Sequence, residues 1–420
     1  MTQAGTQEAL AQEALAQRVR RIVDATPVVD MHTHLYAPAL KELLLCGADE
    51  LMCFHYLISE SFRVHRLPYD VFWGMSKREQ AEVVWRALFE QSTPLSEAAS
   101  GVIEIAQAFG MQPGRFTLHD LRAVLSDTPT AAYIDKVFQL AGVDLVVMTN
   151  DPFDRAERAY WAQGVEIDPK FRASLRLDTL VNQFADACQD LQAQGFDVAP
   201  DLSGRTFAEL ERWLESWVER TQPVYVAFSA ADDLVYPDDG VRGQLLDKVL
   251  LPVCRRHKLP LSLMIGARRR VNPDLRLAGD SVTQASLRPV ERLCADNPDN
   301  KFLITMLARE NQHELVVTAR KFHNLMPFGC WWFVNTDTLV EEITRLRLEL
   351  LGPTFIPQHS DARVLEHLIY KWQRARDVVA RVLTDKYGAL VRRGWAVEDA
   401  DIERDVRRLF RDNFWDFVQA

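Results

Sequence analysis

Short apolar and β-branched runs alternate with amphipathic stretches along most of the chain. Eight of the runs read as buried parallel strands: PVVDMHTHL (27–35), DLVVMTND (144–151), RASLRLD (172–178), VYVAFSAADD (224–233), LPLSLMIGARR (259–269), KFLITMLA (301–308), NLMPFGCWWFV (324–334) and PTFIPQHSDAR (353–363). Each is flanked by helical pattern, as strand and helix must alternate in a parallel sheet. Segments such as LLDKVLLPVCRRH and VEEITRLRLELL carry the apolar spacing of helices that pack on such a sheet. Eight units of this kind predict an α/β fold closed into a (β/α)8 TIM barrel, with its active site at the carboxyl ends of the strands.

The regular spacing fails once. Residues 36–143 are mostly helical in pattern (ADELMCFHYLISESFRV, SKREQAEVVWRALFEQ, TLHDLRAVL) and separate the first two strands. No Gly/Ser/Pro-rich linker frames them, so they are expected to form a helical insertion beside the barrel mouth, within a single domain spanning 1–420. After Arg363, the run YKWQRARDVVARVL and the stretch ADIERDVRRLFRDNFWDF read as helices that cover the outside.

Chemistry enters at the first strand. His32 and His34 sit two apart in VVDMHTHL, and strand alternation puts both imidazoles on one face, near the end where a barrel opens. A bare HxH also occurs in ordinary strands. Here an aspartate, Asp361, ends the last predicted strand, and a carboxylate there can ligate a metal and accept a proton. Two imidazoles and one carboxylate with open positions suit a catalytic divalent ion, zinc by preference, with manganese or iron as alternatives. His359, two residues before Asp361, is expected on the same side, as an auxiliary ligand, an orienting partner or a plain loop histidine.

Composition narrows the function. Hydrophobic residues make up 48% of the chain and charged residues 26%, the balance of a globular protein with a large core. Acidic side chains outnumber basic ones by 59 to 49, which argues against broad nucleic-acid binding and leaves a small acidic substrate to find its own arginines. The six cysteines are scattered without a CxxC pair and read as free thiols of a reducing compartment. The N-terminal stretch has no signal-peptide core, and no apolar run approaches the roughly 20 residues needed to span a bilayer. A cytoplasmic protein with no membrane partner is expected.

With these residues in place, the chain resembles the uronate isomerase family, a branch of the amidohydrolase superfamily. DMHTHL resembles that family's D-x-H-x-H-L, and FHY at 54–56 with Arg63 resembles its HY-x5-R segment. LVVMTNDPFD, SLRLD, WWF at 331–333 and SDAR at 360–363 resemble its VV-x-T-x-DP-x-D, FRPD, WWFND and TDSR elements, in the same order. The resemblance implies that His32, His34 and Asp361 hold the metal and that Asp361 also moves a proton between adjacent carbons. It implies further that Arg363 and Arg176 bind the carboxylate or hydroxyls of a sugar acid, and that His55 and Tyr56 assist from the insertion. The implied reaction interconverts aldose and ketose forms of a uronate through an enediol. Assembly into a homo-oligomer is a further expectation from the resemblance.

The chain departs from the family at three places. Met264 stands where the family's HIGA-like element has histidine, Asp233 stands where histidine is usual, and Val334 interrupts the WWFND pattern. These changes keep open a metal-dependent hydrolase, decarboxylase or lyase acting on another small acid, and a non-catalytic sugar-acid-binding relative. Arg363 and Arg176 each have an alternative as structural ion-pair partners. Of Trp331 and Trp332, alternation sends one toward substrate and the other toward the helices. The cluster GARRR at 266–270 reads as an acid-binding element, a solvated loop or a subunit contact.

Overall fold

The computed structural model describes residues 3–419. The first helix, Gln3–Ala25, leads into β1 (Val28–Thr33), which pairs in parallel with β2 (Val143–Met148). β2 pairs with β3 (Phe171–Arg172), and the strand resumes as β4 (Leu175–Arg176), which pairs with β5 (Val226–Ala230). β5 pairs with β6 (Leu261–Ile265); β7 (Ala267–Arg268) and β8 (Ser281–Val282) form a small antiparallel hairpin after it. β6 pairs with β9 (Phe302–Met306) and β9 with β10 (Leu325–Pro327).

An eighth segment closes the ring. Phe328 bridges to Ile356, and at the other edge the amides of Asp361 and His34 donate to the carbonyls of His32 and Ala362 at 3.2 and 2.7 Å. The architecture is thus a closed α/β barrel of eight parallel segments, as the alternation of runs predicts. Two segments differ from expectation. The third is split, β3 facing one neighbour and β4 the other, and the eighth follows β1 by isolated hydrogen bonds, without a regular ladder.

Strand faces sort by burial partner. Val29, Met31, Val147, Tyr225, Ala227, Met264, Leu303 and Phe328 pack together inside the ring. Val28, Val146, Val226, Leu261, Leu263, Phe302 and Ile304 join a larger cluster with the helices. Burying side chains on both faces removes apolar surface from water at a gain of roughly 25 cal/mol per Å², which explains why the strands read as continuous apolar runs.

The helix Ala131–Ala141 starts at Thr130, whose side chain accepts from the Tyr133 amide, and stops at Gly142. Gly142 lies in the left-handed region (φ 64°), and a Cβ there would sit 2.6 Å from Arg376 Nη2. Its carbonyl accepts from the Val28 amide at 3.1 Å and from Arg376 Nη2 at 2.8 Å, so this turn fixes where β1 begins.

Between β1 and β2, the described residues form only helices and turns, among them His55–Ser61, Tyr69–Gly74, Lys77–Trp85 and Glu97–Ala108. The long helix His367–Arg392 packs against Gln3–Ala25, Glu97–Ala108, Ala131–Ala141 and Asp337–Leu351. Among the described residues, no helix is long and apolar enough to cross a membrane.

Candidate active site

The carboxyl end of β1 carries the two histidines. β1 changes register against β2 between Asp30 and Thr33, an irregularity of the kind that re-aims side chains beside active sites. Beyond it, His32 and His34 converge on Asp361. His32 Nε2 lies 3.7 Å and His34 Nε2 3.3 Å from Asp361 Oδ1, and the three ligand atoms fall within 4.8 Å of one another. Asp361 itself adopts φ 53°, a left-handed conformation rare outside glycine and tolerated by aspartate. His359 is fully buried against His32 and Phe328 and is not part of the ligand group.

The group is prepared for a metal. Tyr225 donates its hydroxyl proton to the Met31 carbonyl at 2.8 Å, so its oxygen accepts from His32 Nδ1 at 3.1 Å. With Nδ1 carrying the proton, Nε2 presents its lone pair toward Asp361 and His34. Burial pushes His32 down to about 3 and His34 well below its ordinary value, so both imidazoles are neutral at physiological pH. Asp361 Oδ1 is buried and has no hydrogen-bond partner. Two neutral imidazoles and a carboxylate oxygen fit a divalent cation that keeps open positions for substrate.

His32, His34 and Asp361 line a cavity together with His55, Arg176, Arg269, Arg363, Met264, Trp331 and Trp332. Arg176 forms a two-point ion pair with Asp178, Nε to Oδ2 and Nη2 to Oδ1, each at 2.9 Å. Burial opposes the guanidinium charge, but Asp178 outweighs it and holds the Arg176 pKa above its ordinary value. Arg176 is therefore both an ion-pair partner and a cavity wall. Arg363 differs: its Nη2 lies 3.3 Å from His34 Nε2, its Nε is buried without a partner, and no carboxylate lies within ion-pair distance among the described residues. It is a cation whose Nε donor is left for a ligand.

His55 reaches the cavity from the insertion and is held neutral, well below its ordinary pKa, by burial. Tyr56, the next residue, lies within electrostatic reach of Asp361 and Arg363. It packs among Phe54, His55 and Phe333 with Lys371 Nζ 5.7 Å from its ring.

Trp331 and Trp332 overturn the alternation argument. The strand ends at Pro327, Trp332 takes φ 48° in a turn, and both indoles line the cavity. Of the three departures from the family pattern, only Met264 faces the cavity. Asp233 is exposed and pairs with Arg242 at 3.2 Å, and Val334 is buried with Cys330 and Val340. Sequence reasoning passed over Tyr225 and Asp30. Asp30 is fully buried and accepts from Trp372 Nε1 at 2.8 Å and from the Ser360 amide at 3.1 Å. It ties β1 to the segment bearing Asp361, and burial raises its pKa to about 6. The Asp in DMHTHL was the available signal.

A closed α/β barrel with two strand-one histidines and a strand-eight aspartate at its mouth defines a metal-dependent barrel enzyme of the amidohydrolase type. Comparison with solved structures gives the family. The chain matches a uronate isomerase from Bacillus halodurans C-125 with 46% identity and a TM-score of 0.95, over 97% of each chain. A uronate isomerase from Thermotoga maritima matches at 15% identity and TM-score 0.75, over 96% of this chain and 97% of that one. A glucuronate isomerase from Caulobacter crescentus matches at 14% and 0.74, over 97% and 94%. At such low identity these two speak for the fold alone. No protein-family profile and no curated protein sequence matches the chain. The chain belongs to the uronate isomerase family.

Proposed function

We propose that this protein interconverts the aldose and ketose forms of a uronate, with Asp361 as the proton carrier in a divalent-metal site formed with His32 and His34. The observation that carries the reading is the convergence of these three groups with the unpaired guanidinium of Arg363 in one cavity.

The reaction removes a proton from carbon two of the aldose and returns it to carbon one, while a hydroxyl proton moves from the oxygen on carbon two to the oxygen on carbon one. Atoms and electrons balance within the substrate, so no co-reactant is needed. Asp361 Oδ1 faces the histidines, which leaves Oδ2 to take the carbon-bound proton and give it back. Arg363, beside His34, donates to the oxygen on which charge develops. His55, neutral and on the cavity wall, transfers the hydroxyl proton between the two oxygens. Arg176, held rigid by Asp178, orients the chain of hydroxyls. Trp331 and Trp332 pack on the sugar's carbon face and exclude water. A bound divalent ion, zinc by the chemistry of its two imidazoles, supplies polarisation of a substrate oxygen.

Metal-replete protein incubated with a panel of hexuronates is expected to form the corresponding ketoses. Absence of turnover on every uronate tested removes the proposal.

A further inference from the structure

The helical insertion carries an apolar surface pocket that shares no lining residue with the active-site cavity. Trp85, Phe89 and Phe116 form its aromatic wall, with Ile103 and Pro94 beside them. The π-turn Arg86–Glu90 continues the helix Lys77–Trp85 and lays the Phe89 ring flat on that of Trp85, 4.3 Å between centroids, while Phe116 stands 5.6 Å from Trp85. Turns of this kind are rare and gather at functional positions. Phe89, Ile103 and Phe116 are only half-buried, so the pocket presents apolar surface that the chain's own fold leaves uncovered.

An apolar knob stands next to it. Leu95 follows the lining residue Pro94 and is 84% exposed, more than any other large hydrophobic side chain among the described residues. It is not a loose tip. Its amide donates to the Thr93 carbonyl at 2.8 Å, and its neighbour Ser96 caps the helix Glu97–Ala108 and donates to Glu60 Oε2 at 2.5 Å. The backbone therefore holds this leucine out in water, beside a pocket of matching character.

The charges around the pocket say which occupant fits. Glu90 and Arg115 both line it and are exposed, and among the described residues neither forms an ion pair, with the other or with any third group. A two-fold axis sets residue i against residue j of the second copy and j against i. Such an axis here brings each Glu90 to the other copy's Arg115 and each Leu95 to the other copy's pocket. The patch holds one acid and one base, on a molecule of net charge −10 whose mean field repels a second copy.

We propose that this face of the insertion is a two-fold contact between copies of this chain, with Leu95 of each seated in the aromatic pocket of the other and Glu90 paired with Arg115 across the axis. The contact is independent of the reaction the barrel performs.

Sedimentation and light scattering of the full-length, metal-replete protein test it, with wild type beside L95D, E90R, R115E and the double variant E90R/R115E. All the changes fall at exposed positions, and circular dichroism checks that each variant keeps the wild-type fold. Wild type is expected as a dimer or an even-numbered assembly of dimers. L95D is expected to weaken the contact at least about 100-fold and to halve the mass. E90R and R115E each set like charges against one another and are expected to weaken it about tenfold, whereas the double variant, which exchanges the signs, returns to within about threefold of wild type. A monomeric wild type, the result also expected if a different partner fills the pocket, overturns the inference. An odd-numbered assembly, an L95D variant of unchanged mass, or a double variant whose loss equals the two single losses combined overturns it as well.

Discussion

At the scale of single residues, the site depends on protons being in fixed places. Tyr225 commits its own proton to the Met31 carbonyl and so dictates which nitrogen of His32 is free. Y225F keeps the ring and loses the acceptor; chelator competition is expected to show metal affinity reduced about 10- to 100-fold with the fold intact. In the proposed reaction Asp361 has two tasks, so D361N is expected to abolish isomerisation and weaken the metal as well. In the proposed reaction His55 stands outside the group of His32, His34 and Asp361 and carries the oxygen-to-oxygen transfer. H55Q is expected to lower kcat by about 100-fold or more while leaving metal content at wild-type level, read by elemental analysis. A loss of metal in H55Q contradicts that division of roles.

At the scale of elements, the eighth segment is the least regular part of the barrel. It lacks a regular ladder, yet it must hold Asp361 in a left-handed turn. Asp30, Trp372 and the Ser360 amide supply the brace, and Gly329 supplies the room: a Cβ there would lie 1.8 Å from His359 Nδ1, on a backbone with φ 63°. G329A is expected to destabilise the protein by at least about 2 kcal/mol in chemical denaturation, because neither the backbone nor the buried imidazole can give way. These details mark the limit of what the sequence discloses. The apolar runs, the HxH pair and the SDAR element suffice for the barrel and for the grouping of His32, His34 and Asp361, since a period of two and chain order carry that information. The split third strand, the turn at Trp332 and the φ of Asp361 depend on contacts between distant segments. Alternation therefore placed the tryptophans wrongly. Tyr225 and Asp30 act only through partners far along the chain, which local pattern cannot reveal.

At the scale of the whole molecule, stability and charge are tied to groups well outside the cavity. Glu366 is fully buried, accepts from the Gly47 amide at 2.8 Å and from Tyr133 at 2.6 Å, and burial raises its pKa to about 7. The folded state thus holds this proton more tightly than the unfolded chain, whose glutamate titrates near 4.5. Its contribution is complete below that value and is lost as pH rises toward 7, at about 1.4 kcal/mol per unit of separation. E366Q keeps both accepting interactions and is expected to flatten the stability profile between pH 4.5 and 7; an unchanged slope assigns the pH dependence elsewhere.

The same molecule carries a net charge of −10, yet Arg176, Arg269 and Arg363 face one cavity with Asp178 and Asp361. That local inversion of sign suits an anionic substrate brought to a cationic pocket. The measurement that bears most directly on the whole scheme follows a hexuronate by NMR and mass spectrometry in heavy water, with metal-replete wild type and D361N in parallel. Isomerisation is expected to give a ketose of the same composition apart from exchanged deuterium, with deuterium at the carbon that receives the proton, and none of it with D361N. A product heavier by one water, lighter by carbon dioxide, or formed equally by D361N contradicts it.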